Sequence, residues 1–376
     1  MRFHSFSLAF TLSLSLLAAF PVKAETQVEK QETALRHHSS ILMYHHISSD
    51  TPRSTSTDAE TFTQHLDLLD KLGFQVWSLE KIADHLKANK PFPDKVAALT
   101  FDDAYISVYK TAMPIMQARK LPFTIFVNAT PVNQGNKLFM SWDQLRDARK
   151  KGATIANHGL EHDHMIRQQA GESDEAWLAR MKHQITENQR QLEQQLGTSE
   201  KNPLPKLFAY PYGEFNPQLE ALLAERGYLA FGQQSGPASG FTSLQGIPRY
   251  AANGIYANPK TLRTKLLALP FPVIAEEPRS GVLGADQRSP VLMLTLAKGD
   301  YRLDQLRCYG PAGEVLKVDS QPQADGSVTL RVATQKTLPA GRHRYNCTAP
   351  HRTESRWFWY SRQWMLPKTD GRWYRS

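Results

Sequence analysis

Residues 96–103 read VAALTFDD, a short apolar run stopped by two adjacent acids. The run has the length and character of a buried strand, and the acids mark its end. The same unit recurs on either side. Ile41–Tyr44, Gln75–Leu79, Phe123–Val127 and Ala153–Ala156 are further strand candidates, followed by Leu207–Tyr210, Tyr228–Phe231 and Ile247–Tyr250. Helix-like segments separate them. Ser141 and Gln144 form a capping box, and Gly152 follows that helix. Asn216-Pro217 opens a helix that ends at Gly227, and Asn258-Pro259 repeats the device. Asp174 to Leu196 is one long amphipathic helix stopped by Gly197. This alternation predicts an α/β fold, a mostly parallel sheet or barrel with helices outside.

From about Ser280 the pattern changes to short strands: VLMLTLA, LDQLRCYG, EVLKVD, SVTLRVA and RHRYNCTA. Gly-Asp, Gly-Pro-Ala-Gly and Asp-Gly turns divide them, which predicts a small all-β, sandwich-like domain over residues 289–376. Residues 273–288 carry Pro, Gly and charge and read as a linker, leaving 41–272 for the α/β domain. Cys308 and Cys347 are the two cysteines, and a disulfide between them is expected outside the cytosol; two buried free thiols are the alternative.

The 376 residues carry a formal charge of +9, with 41% hydrophobic and 22% charged side chains, which excludes a disordered, collagen-like or small disulfide-scaffold chain. The chain opens MRFHSFSLAFTLSLSLLAAFPVKAETQ, with Arg2, an apolar centre over residues 8–20 and small residues before Glu25. This reads as a signal peptide cut after Ala24, followed by a polar linker over 25–40. An uncleaved anchor is the alternative, but the apolar centre is shorter than the ~20 residues a span needs. The expectation is an exported, periplasmic or secreted protein with no transmembrane span after cleavage.

The ends of the predicted strands carry polar residues of a particular kind. His45-His46, Asp102-Asp103, Asn128, Asn157-His158 and Pro211-Tyr212-Gly213 each follow a strand, and Arg249 lies within the last one. In a parallel barrel, strand ends meet on one face, where chemistry sits. Asp102-Asp103 by itself reads equally as a helix N-cap. His158 and His162 would share one side of a helical turn, a spacing that suits a divalent cation; two exposed loop histidines are the alternative. Asp103 would complete a three-donor open site. His164 lies nearby, and His162 is preferred on spacing. The donor set suits Zn²⁺ first, and also Co²⁺, Ni²⁺ or Fe²⁺.

Thr100-Phe101-Asp102-Asp103, His158-Gly-Leu-Glu-His162 and Phe208-Ala-Tyr-Pro-Tyr-Gly213 resemble three ordered motifs of the polysaccharide deacetylases, the family 4 carbohydrate esterases with a NodB homology domain. Leu42-Met43-Tyr44-His45 resembles the poly-N-acetylglucosamine deacetylase subgroup. The resemblance covers roughly residues 41–270 and implies a distorted (β/α) barrel, one divalent metal and hydrolysis of N-acetyl groups on a sugar polymer. It implies Asp103, His158 and His162 as metal ligands, Asp102 as general base and the Tyr212 backbone N–H as an oxyanion donor. Three positions depart from the family pattern. Gly159 replaces a hydroxyl residue, Ala209 stands where an arginine orienting Asp102 is usual, and no late general-acid histidine is evident. Arg249 is the expected substitute for that arginine, and His45 or His46 a candidate for the acid or for lining the cleft.

Residues 345–376 contain eight aromatics interleaved with arginines. They read either as the core of the C-terminal domain or as a basic surface for an anionic polysaccharide or envelope; export argues against nucleic acid. Three functions follow: an exported metal-dependent deacetylase of an amino-sugar polymer, a weakly active or inactive carbohydrate-binding protein on the same fold, and an amidase for another acylated compound.

Overall fold

The computed structural model describes residues 38–198 and 203–375. The expected signal peptide and most of the expected linker lie outside the described residues. β1 (His38–Tyr44), β2 (Val96–Phe101), β3 (Thr124–Val127), β4 (Thr154–Asn157), β5 (Leu207–Ala209) and β6 (Leu229–Phe231) lie side by side in chain order, every neighbouring pair parallel. β7 (Tyr250–Ala251) runs parallel to the other edge of β1, with Leu42 opposite Tyr250. Ile247 bridges Phe231 of β6, so the sheet curls until its edges meet. This is the expected distorted (β/α) barrel. Among the ladders between neighbouring strands β1 to β6, β4–β5 is the shortest, the single pair Asn157–Phe208.

Several boundaries differ from the sequence reading for physical reasons. His38, Ser39 and Ser40, read as linker, form the start of β1. They are buried because β2 pairs on one side and Ala238–Ser239 on the other, so polar side chains accompany a fully paired backbone. Gln75–Leu79 contracts to Gln75–Val76, because Ser78 caps a helix that takes Leu79. The last barrel strand is a ladder only at Tyr250–Ala251, since Pro248 has no N–H to pair. The helix stops hold: Ser141 and Gln144 make a reciprocal capping box, Asn216 caps Pro217–Glu225, and Asn258 caps Pro259–Leu266.

Side chains alternate across each strand. Ile41, Ala98, Phe126, Ala156, Ala209 and Phe231 meet in one buried cluster, the barrel interior, joined by Leu79, Ile82 and Leu86 of the helix Leu79–Lys87. The opposite set, including Leu42, Leu99, Phe101 and Ile125, packs against Phe62, Leu66 and Leu145 of the outer helices. Thr100 and Asp102 continue the Ala98 row, so strand parity sends Asp102 toward the barrel interior.

The C-terminal region is a sandwich of two four-stranded sheets. One holds β8 (Leu269–Pro270), β11 (Arg307–Tyr309), β14 (Gly341–Pro350) and β15 (Trp357–Leu366). The other holds β9 (Val273–Glu277), β10 (Val291–Leu296), β12 (Lys317–Pro322) and β13 (Val328–Ala333). β9 falls inside the expected linker; it is a largely exposed edge strand, which its charged sequence suits. A disulfide joins Cys308 and Cys347, directly opposed on β11 and β14. Trp364, Tyr345 and Phe358 are buried in the sandwich, and Trp359 meets Tyr250 of the barrel edge-on at 6.2 Å. Core and interdomain packing therefore accounts for most of the tail's aromatics; Trp357 is exposed. Among the described residues no helix is long and apolar enough to cross a membrane.

Candidate metal centre

β2 delivers the two acids, and the chain then leaves the strand abruptly. Asp103 and Ala104 are both left-handed, at φ +71° and +54°, a conformation that costs a non-glycine residue energy and is held only by its surroundings. No helix starts at these acids; the helical turn Val108–Ala112 follows Ser107, which excludes the N-cap reading. The turn instead carries the Asp103 carboxylate to the loop after β4.

That loop is not the helical turn on which the His158/His162 spacing was read. Gly159 and His162 are both left-handed, at φ +76° and +60°, and fold the loop back so that the two imidazoles converge. The position where the family usually has a hydroxyl is thus one that glycine occupies without strain. Bracing comes from buried amides. Asn128 Nδ2 donates to the Gly159 carbonyl at 3.0 Å, and Asn157 Oδ1 accepts from the Gly159 N–H at 2.9 Å. Asn188 Nδ2, on the long helix Asp174–Gln195, donates to Asn157 Oδ1 at 2.8 Å. Gln184 Oε1 on the same helix accepts from the N–H groups of Leu160 and Glu161.

Asp103 Oδ1 lies 3.2 Å from His158 Nε2 and 3.2 Å from His162 Nε2, and the three donor atoms fall within 4.8 Å of one another. His158 Nδ1–H donates to the Ala209 carbonyl at 2.8 Å. A carbonyl only accepts, so the proton sits on Nδ1 and Nε2 of the neutral ring offers a lone pair. Asp103 Oδ1 is buried and has no aligned hydrogen-bond donor among the described residues. Asp103 Oδ1 and the two Nε2 atoms thus converge on one point, an arrangement that a divalent cation satisfies when both rings are neutral. The residues fit the metal that the motifs imply.

Asp102 takes a separate role. Arg249 Nη1 and Nη2 donate to its two carboxylate oxygens, each at 2.7 Å, and both side chains are fully buried. Two further guanidinium donors are also used, Nε by the Gly232 carbonyl at 3.0 Å and Nη1 by Thr100 Oγ1 at 3.2 Å. Burial alone would raise the Asp102 carboxyl; the Arg249 guanidinium outweighs it and holds the group below the usual carboxylate range. Arg249, reached from the strand that closes the barrel, thus lies opposite Asp102.

His45, at the end of β1, is half-buried, and its Nδ1 has no partner among the described residues. Burial pushes its pKa down, while the charges of Asp103 and Asp102 act on it in the opposite direction, so it faces the same site. His46 instead stacks on Tyr105 at 3.6 Å. Tyr212 is left-handed at φ +57°, and its ring meets His162 at 4.5 Å. Gly213 follows at φ +69°, where a Cβ would sit 2.5 Å from Gln233, so this turn requires glycine.

Sequence reasoning missed a second polar group beside the centre. His164 stacks flat on Tyr212 at 3.7 Å and donates through Nδ1 to the buried Glu214 at 2.7 Å. Tyr374 Oη donates to the other Glu214 oxygen at 2.7 Å, and Arg342 Nη1 donates to the Tyr212 carbonyl at 2.8 Å. Burial would raise Glu214; the bonds from His164 and Tyr374 prevail and hold it below its ordinary value. The one available signal was Glu214 directly after the third motif, and its partners lie up to 160 residues away.

Fold and centre define a class: a parallel (β/α) barrel with an Asp-His-His donor set at the ends of β2 and β4. Residues 89–231 match the model of the family described as polysaccharide deacetylase, and the resemblance read from the motifs is thereby shown. YxkH of Bacillus subtilis is 28% identical over 150 residues, 38% of this chain and 52% of its own length. The poly-beta-1,6-N-acetyl-D-glucosamine N-deacetylase of Escherichia coli K12 is 27% identical over 242 residues, 55% of this chain and 35% of its own length. The chain thus spans about half or less of these curated relatives. Among solved structures, the Streptococcus pyogenes deacetylase PplD in complex with acetate shares the fold at TM-score 0.53 and 22% identity, covering 61% of this chain and 98% of its own. IcaB from Ammonifex degensii does so at TM-score 0.51 and 23% identity, covering 62% and 98%.

Proposed function

We propose that the protein is an exported, metal-dependent deacetylase that hydrolyses N-acetyl groups of an amino-sugar polymer. The observation that carries this reading is the convergence of Asp103 Oδ1, His158 Nε2 and His162 Nε2 beside a carboxylate, Asp102, gripped by Arg249. A divalent cation held by these three donors, Zn²⁺ first and Co²⁺, Ni²⁺ or Fe²⁺ on the same chemistry, supplies Lewis acidity toward water and an acetyl carbonyl. The chain's own residues do the rest. Asp102, kept ionised and fixed in orientation by the guanidinium fork, takes the proton of the attacking water. The Tyr212 backbone N–H donates to the oxyanion that develops on the acetyl oxygen. The proton that Asp102 takes from water then goes to the departing amine, with His45, which faces the same site, as the candidate relay. The disulfide suits an oxidising compartment, which agrees with periplasmic or secreted placement. Contact with an anionic polysaccharide or envelope through the C-terminus would use the tail residues that stay exposed, Arg352, Trp357, Arg372 and Arg375.

The test is acetate release from N-acetylglucosamine oligomers and from the β-1,6-linked polymer, with metal analysis. Wild type is expected to hold one divalent ion and release acetate; chelation should abolish release and added Zn²⁺ restore it. Asp102→Asn should be silent while keeping metal. Sugar binding without acetate release would favour the inactive carbohydrate-binding alternative, and release from non-sugar amides alone would favour an amidase.

A further inference from the structure

Side chains alternate along β14, and Arg342, Arg344 and Asn346 share the face turned to the barrel. Arg342 Nη1 donates to the carbonyl of Tyr212, in the loop after β5, at 2.8 Å. Asn346 Oδ1 accepts from Ser235 Oγ, in the segment after β6, at 3.4 Å. Between them, Arg344 interacts electrostatically with Tyr256, in the short helical turn Gly254–Tyr256 that follows β7. All three segments leave the C-terminal ends of barrel strands, the end at which Asp103 and His158 also emerge. Arg344 therefore stands at the barrel mouth, on the sandwich side of the candidate centre.

Its electrostatic surroundings are unusual. Arg344 is half-buried, yet its guanidinium donates no hydrogen bond and meets no carboxylate among the described residues. Besides burial, the groups that act on it are Tyr256 and a second cation, Arg342. None of its nitrogens is sealed from solvent, in contrast to Arg167 Nη2 and Arg362 Nε, so a solute can reach them. Lys265, on the helix Pro259–Leu266, adds another charge. It is only 8% exposed, and its Nζ bonds the Ala251 carbonyl at the end of β7 at 3.4 Å and lies 4.9 Å from the Tyr256 ring centroid. Burial and then the Arg344 charge lower its pKa, and no carboxylate lies within ion-pair distance of it among the described residues.

Desolvated charges are ordinarily paired, because an unpaired one costs stability. The protein's other buried arginines follow this rule: Asp102 matches Arg249, Glu172 matches Arg180 and Glu276 matches Arg362. The acids at the barrel mouth are already committed. Asp102 is gripped by Arg249, Asp103 faces the two histidines, and Glu214 accepts from His164 and Tyr374, with Arg342 Nε at 3.8 Å. Arg344 and Lys265 are left without a counter-charge, which a ligand would bring.

We propose that Arg344, with Lys265 and Tyr256, binds an anionic substituent, a carboxylate or a phosphate, on the polymer whose N-acetyl group lies at the metal centre. A guanidinium with free donors holds either group through two parallel bonds. Deacetylation leaves an ammonium group, which these cations repel; a repeat unit that carries an acid offsets that repulsion. That the ligand is an N-acetylated polymer rests on the function proposed above; the preference for an anion rests on the unpaired cations alone.

The experiment is calorimetric titration of the full-length, metal-stripped protein with three N-acetylated tetrasaccharides. One is neutral, one carries a lactyl carboxylate on alternate units and one carries a phosphate monoester. Thermal midpoints, and acetate release by the metal-loaded protein, are measured alongside. Wild type should bind a charged tetramer at least about tenfold more tightly than the neutral one, the worth of one charge-assisted hydrogen-bonding group. The tighter of the two identifies the substituent, and the preference should shrink as salt is raised. Arg344→Gln should bring the ratio of charged to neutral affinity close to one. Its midpoint should hold or rise, because an unpaired half-buried charge is removed. Lys265→Met should also cut the ratio and serves as the second variant should Arg344→Gln fail to fold. Equal wild-type affinity for all three tetramers, no binding of either charged one at millimolar concentration, or a preference that survives in folded Arg344→Gln overturns the proposal. A preference that depends on Arg344 in a protein that releases no acetate from any tetramer would keep the anion site and refute the deacetylase reading.

Discussion

Arg249 and Asp102 form a fully buried ion pair with every guanidinium nitrogen bonded. Removing one partner of such a pair leaves an uncompensated charge and costs about 3–5 kcal/mol. Arg249→Ala should therefore lower stability by that order and reduce acetate release far more than metal content, since Arg249 touches none of the three donors. Arg249→Lys keeps the charge and loses the fork, so kcat should still fall at least about tenfold. Full turnover in Arg249→Ala would refute the role given to it. The partnership was legible only in part: Ala209 showed that an arginine was missing from the expected place, and Arg249 was a charged residue in an apolar strand. That the two strands face the same carboxylate depends on the barrel closing through the Ile247–Phe231 bridge.

At the scale of single elements, the long helix Asp174–Gln195 shows why amphipathic pattern alone misses function. Its buried stripe includes Trp177, Met181, Ile185 and Leu192, but also Gln184 and Asn188, which hold the metal loop. A pattern of apolar positions locates the helix; it does not say which backbone its buried amides will meet. The helix Pro259–Leu266 carries a different anomaly. Lys265 is buried on it, and burial, with the nearby Arg344 charge adding, lowers its pKa from 10.5 to about 8. The folded state then binds fewer protons than the unfolded state between these values. Its penalty is in full force below pH 8 and is relieved as pH rises toward 10.5. Lys265→Met should thus stabilise the protein at pH 7 by up to roughly 3 kcal/mol, with the gain shrinking toward pH 10. Urea unfolding at both pH values checks this; equal gains at both would show that the lysine is not strained by burial.

Over the whole molecule, Glu214 joins the two domains at the rim of the centre. It accepts from His164 of the metal loop and from Tyr374 of the C-terminal segment, while Arg342 of β14 holds the Tyr212 carbonyl. The sandwich is thereby a support for the turn that carries the proposed oxyanion donor. Arg342→Ala and Tyr374→Phe should each lower kcat severalfold with metal content and disaccharide KM little changed. Their combined effect should depart from additivity, because both act through the Tyr212–Glu214 turn. Unchanged kcat in both single variants would show the contact to be structural only.

The chain by itself determined the parallel barrel, its helix caps, the sandwich and the disulfide pair, because periodicity, capping and turn residues act over short distances and are written locally. It also named Asp103, His158 and His162, since strand ends in a parallel barrel share one face. Tertiary structure alone decided how they converge, through left-handed turns at Asp103, Gly159 and His162 rather than a helical turn. It alone decided the amide bracing, the Glu214 junction and the approach of Arg344 to Lys265. Apart from the local Asn157–Gly159 bond, those depend on side chains brought together across 23 to 160 residues of chain, and separation of that kind leaves no pattern in a single sequence.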